Sequence, residues 1–71
     1  MTILEAMQKT IDGAISSGQL CYLYENENGY FLSYQYQHTW LFRAYPGGRK
    51  ELSGRGKEIV ETATGKTLGA K

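Results

Sequence analysis

Residues 29–40 read GYFLSYQYQHTW, six aromatic or histidine side chains in twelve positions. In a chain of 71 residues that cluster constrains the fold more than any other feature. One core of this size barely outweighs chain entropy. Cys21 is the single cysteine and His38 the single histidine, so neither an intrachain disulfide nor a Cys/His zinc site can staple it. Buried area must therefore come from large rings, each removing roughly 150–250 Å² from water. With 41% hydrophobic and 13% aromatic residues, the composition is that of a folded chain rather than a disordered one.

The period of the apolar residues divides the chain. Thr2 and Glu5 have the spacing of a capping box. Ile3, Met7, Ile11, Ala14 and Ile15 then recur at three- and four-residue intervals, which predicts an amphipathic helix ended by Gly18. From Gln19 the period becomes two. QLCYLYE, YFLSYQYQ and TWLFRAY predict three antiparallel strands in a meander.

The first turn admits two registers. A two-residue Asn28-Gly29 loop sets Cys21 and Leu23 on one side with Leu32 and Tyr34. A three-residue loop, opened by Asn26 with Gly29 as a bulge, sets Tyr22 and Tyr24 there instead. The bulged form suits Asn and Gly better. It places Leu20, Tyr22, Tyr24, Leu32, Tyr34, Tyr36, Trp40, Phe42 and Ala44 under the helices. Cys21, Leu23, Ser33, Gln35, Leu41, Arg43 and Tyr45 then form the outer side.

Pro46, Gly47 and Gly48 mark a turn, and RKEL at 49–52 reads as a short fourth strand or an extended lead into a second helix. Ser53 to Gly56 suits a helix start, and Ile59, Val60 and Ala63 share a face of a short helix stopped by Gly65. The expected fold is a single α+β domain over residues 1–65, in the order α-β-β-β-α, with a flexible tail at 66–71.

No catalytic grouping emerges. His38 sits in a turn without a nucleophile, Cys21 lies mid-strand without a basic neighbour, and Glu25 and Glu27 flank a hairpin turn. Gly65-Lys66-Thr67 imitates the end of a phosphate-binding loop, but Val60 stands where that motif needs glycine. We expect no enzyme, no cofactor, no metal and no small-molecule substrate. The N-terminus lacks a basic leader and no apolar run reaches the ~20 residues of a membrane span, which predicts a cytoplasmic protein without membrane contact.

Charge is uneven although the formal net charge is +1. Arg43, Arg49, Lys50, Arg55 and Lys57 face only Glu51 between residues 43 and 57. Glycines in PGGRKELSGRGK let backbone approach a polyanion, and its bases could neutralise phosphates. WLFRAYPGGRKELSGRG resembles the strand-turn-strand of the arm-type DNA-binding domains that precede phage integrases, which implies a DNA contact over those residues. The helix ahead of the sheet departs from that pattern, so no family is assigned. In kind the chain is similar to compact proteins of phages and mobile elements.

The leading expectation is an accessory or regulatory protein that binds another protein, or itself as a homodimer, through the sheet's outer side and edge. The alternative is weak nucleic-acid binding through residues 46–57. The candidate contact residues are Arg43, Tyr45, Arg49, Lys50, Arg55 and Lys57.

Overall fold

In the computed structural model, which describes residues 1–65, Thr2 closes the start of the first helix from both sides. Its hydroxyl accepts from the Glu5 N–H at 3.1 Å, and its own N–H donates to the Glu5 carboxylate at 2.9 Å. Two donors that a helix start leaves unpaired are thereby satisfied. Helix α1 spans Ile3–Ser17 and ends at Gly18, whose φ of 70° is left-handed. Thr10, buried within it, turns its hydroxyl back to the Ala6 carbonyl at 2.8 Å.

Four strands follow: β1 Cys21–Asn26, β2 Gly29–Ser33, β3 Phe42–Ala44 and β4 Lys50–Leu52. Helix α2, Gly54–Thr64, closes the described chain between an N-cap at Ser53 and a left-handed Gly65. The expected small α+β fold with a helix at either end is present, and within RKEL the residues Lys50–Leu52 form a true fourth strand. Helix α2 starts at Gly54, a turn ahead of the expected apolar stretch, because the Ser53 hydroxyl accepts from the Gly56 N–H at 3.0 Å. The expected tail at 66–71 lies outside the described residues.

The pairing departs from a sequential meander. The antiparallel sheet runs β2-β1-β3-β4, so β3 lies against β1 and not against β2. Residues 34–41, expected as strand ends around a tight link at His38, instead cross the sheet. The Tyr24 hydroxyl pins them, donating to the Gln35 carbonyl at 2.5 Å and accepting from the Gln37 N–H at 2.8 Å. Strand β1 takes the centre because Cys21, Tyr22, Leu23 and Tyr24 are buried in succession, on both faces.

The first turn also corrects the expected register. Asn26 does open it, accepting from the Asn28 N–H at 2.9 Å, and Gly29 does take a positive φ, of 127°. Yet Asn26 pairs with Gly29 across a two-residue Glu27-Asn28 loop, which sets Leu23 opposite Leu32 and Tyr24 opposite Phe31. Without the bulge, the faces of β1 exchange. Cys21 and Leu23, expected outside, join Phe42, Ala44, Ile3, Ala6, Ala14 and Val60 in the core beneath the helices, with Tyr30, Leu32 and Leu52 packed around them. Tyr22, Tyr24, Tyr36 and Trp40, expected beneath the helices, occupy the outer side. Tyr34 stays on the helix side, where its hydroxyl meets the Gly13 carbonyl at 3.4 Å.

Helix α2 is seated on backbone. The Leu41 carbonyl accepts from the Ser53 N–H at 2.9 Å and from the Ser53 hydroxyl at 3.1 Å. A Cβ on Gly56 would stand 2.1 Å from that same oxygen, so this approach admits only glycine.

Candidate functional site

The turn after β3 assembles one cluster on the outer face. Gly48, at φ 102°, lets the chain reverse, and its N–H reaches the Tyr45 carbonyl at 2.9 Å. The reversal sets Arg43 opposite Glu51 and Ala44 opposite Lys50. Arg43 Nε then donates to Glu51 Oε1 at 2.5 Å, and Arg49 donates to the other carboxylate oxygen. The Tyr45 hydroxyl reaches Glu51 Oε1 at 3.3 Å. The Arg43 guanidinium also lies 4.5 Å from the Trp40 ring centroid and 5.8 Å from that of Tyr45, and Arg49 lies 4.9 Å from Tyr45. Cations over ring faces are held by the ring quadrupole. The hydrogen bond from Arg43, then that from Arg49, holds the Glu51 carboxyl below the usual carboxylate range, and the same Glu51 bond raises the Arg43 guanidinium further.

An aromatic row continues from this cluster across β1 to β2. Tyr36 meets Tyr22 edge-on at 5.7 Å, Tyr22 stacks with Tyr24 at 6.2 Å, and Tyr24 stacks with Phe31 at 5.4 Å. Tyr22 and Tyr24 are buried, whereas Phe31 and Tyr36 are exposed. Burial raises the pKa of the Tyr24 phenol.

The six residues singled out in the sequence do not form one site. Arg43, Tyr45 and Arg49 converge on Glu51. Lys50 shares the register of Ala44, on the other face of the sheet. Arg55, in the first turn of α2, lies 3.4 Å from Glu58 and 3.9 Å from Glu25. Lys57 is exposed on α2, and neither it nor Lys50 has an ion pair among the described residues. Sequence reasoning missed Glu51 and Trp40 as members of the cluster. Counting outward from the Pro46-Gly47-Gly48 turn would have paired Arg43 with Glu51.

His38 is exposed in the crossing segment, and Cys21 is fully buried with its thiol pKa raised by that burial. Among the described residues no group of three or more His, Cys, Asp and Glu side chains is arranged to hold a metal ion, and no helix is long and apolar enough to cross a membrane. Comparison of the chain with protein-family models, with curated proteins and with solved structures returns no match.

Proposed function

We propose that this chain is a small non-enzymatic accessory or regulatory protein of the cytoplasm that binds another protein through the outer face of its sheet. One observation carries the reading. Trp40 and Tyr45 are grouped there around Arg43, and the exposed Tyr36 lies edge-on against Tyr22 on the same face; Trp, Tyr and Arg are the residues that dominate binding free energy at protein interfaces. The rings are held by stacking and hydrogen bonds, so little side-chain entropy is left to lose on docking.

Nucleic-acid binding is the second reading, favoured by the exposure of Lys50 and Lys57. It is weakened because Arg43, Arg49 and Arg55 already face carboxylates. A photo-reactive phenylalanine analogue in place of Tyr36 tests the proposal in cells of the source organism. A discrete protein adduct is expected from Tyr36, and none from the same analogue at Gln8, which is exposed on α1. Absence of an adduct at Tyr36, together with affinity for a random duplex whose log K falls by about 0.9 per log unit of salt for each phosphate contact, would replace the proposal with the nucleic-acid reading.

A further inference from the structure

The two edges of the sheet are not alike. Edge strand β4 has three residues, KEL, and carries two charges, whereas edge strand β2 has five, GYFLS, with no charge and no proline. Short length, charge, proline and bulges are the devices that keep an edge from pairing with another chain. Strand β2 has none of them.

The sheet also determines which backbone groups β2 presents. The Leu41 N–H donates to the Leu23 carbonyl at 2.8 Å, so Leu23 turns its polar backbone groups toward β3 and away from β2. Its partner across the ladder, Leu32, therefore sits in a non-hydrogen-bonded pair, with N–H and C=O directed at the open edge. By the alternation of the strand, Tyr30 does the same.

We infer that a second copy of this chain pairs with β2 in antiparallel register about a twofold axis at Phe31, making one continuous sheet of eight strands. In that register Tyr30 lies opposite Leu32 of the second copy, and Leu32 opposite its Tyr30. Every outward donor then meets an outward acceptor. Phe31 faces Phe31 of the second copy on the outer side, at the non-hydrogen-bonded spacing of about 4.5 Å between Cα atoms that brings side chains closest. Glu27 falls opposite Gln35, so no like charges oppose each other. An uncharged strand that complements itself in hydrogen bonds and in both side-chain rows identifies its occupant as another copy. The pairing uses the backbone of β2 and does not depend on the outer-face reading above.

A contact of this kind belongs with small interfaces, below about 1,200 Å², so the full chain is best followed by sedimentation velocity up to about 100 µM. The expected result is a concentration-dependent dimer. Phe31→Lys and Phe31→Glu, each putting like charges across the axis, should both sediment as monomers, and an equimolar mixture should regain the dimer. Because Phe31 also stacks on Tyr24, Phe31→Cys gives a second measurement. Under mild oxidation it should form an intermolecular disulfide that Tyr36→Cys does not, since the buried native thiol is shielded. A wild-type chain that stays monomeric throughout, a dimer that survives both charge variants, or equal cross-linking at positions 31 and 36 would overturn the pairing. None of these results affects adduct formation at Tyr36, which reports on the outer face.

Discussion

On the helix side of the sheet, Ala6, Ala14 and Ala44 let α1 lie close while Leu23 and Phe42 fill the space between. On the outer side Tyr22 and Tyr24 are almost equally buried, at 6% and 2% exposure, but no helix covers them. Their cover is the crossing segment 34–41, tied by the Tyr24 hydroxyl, and the ring of Tyr36. One face excludes water by matched apolar shapes. The other does so with rings whose polar tips anchor a loop, and its edge opens to solvent through Phe31 and Tyr36. The two layers should therefore fail differently when altered.

The largest effect belongs to the helix side. Phe42→Ala should cost about 3–5 kcal/mol and leave the chain largely unfolded, because a domain of this size holds little in reserve. Trp40→Ala removes a half-buried ring stacked on Arg43 and should cost only about 1 kcal/mol. Urea titration of the two variants checks the ranking, and equal losses would erase the distinction between the faces.

Next come the two helical glycines that face the sheet. A Cβ at Gly56 meets the Leu41 carbonyl oxygen at 2.1 Å, whereas one at Gly13 finds the Tyr34 hydroxyl at 3.4 Å, Cys21 Sγ at 3.6 Å and Leu32 Cδ2 at 3.8 Å. Gly56→Ala must push α2 away and should cost about 3 kcal/mol. Gly13→Ala fits at ordinary contact distances and should stabilise by up to about 1 kcal/mol, through helix propensity and a less flexible unfolded chain. Opposite shifts in melting temperature are the expected outcome.

Tyr24→Phe keeps the ring and deletes the hydroxyl that holds Gln35 and Gln37. A loss of about 1–2 kcal/mol is expected, with faster amide exchange confined to residues 34–40 and none added on α1. Exchange that rises evenly through the molecule would show that the crossing segment is not an independent cover.

The smallest effect is electrostatic. Glu51 titrates below its unfolded value because Arg43 and Arg49 bind its ionised form. Its contribution is therefore present above the unfolded carboxylate pKa and is lost as pH falls through the lower, folded pKa. Glu51→Gln should flatten the fall in urea midpoint between neutral and strongly acidic solution, while changing little on the alkaline side.

Helix limits were legible wherever one residue type does one job: Thr2 with Glu5 and Gly18 bracket α1, and Ser53 with Gly65 bracket α2. The sheet was less so. Asn26 and Gly29 were read correctly as turn residues, yet the loop they close is one residue shorter than the bulged form, and with a side-chain period of two that difference inverts β1. Nothing local announces that residues 34–41 pass over β1, since the hydroxyl that holds them belongs to a residue eleven positions earlier than the first carbonyl it meets. The candidate site suffered likewise. The basic residues were visible as a run, but their division between a Glu51 cluster and the start of α2 depends on which strands pair.

Cys21 carries a practical consequence. Its side chain is at 0% exposure between α1 and the central strand, and its pKa is raised by burial, so a thiol-directed reagent meets a reactive sulfur only while those elements are apart. When reclosing outpaces labelling, the labelling rate divided by that of a free thiol equals the fraction of time the molecule spends open. The chain thus carries a single-site clock on its own breathing, readable without denaturant and set in an inner strand of the sheet.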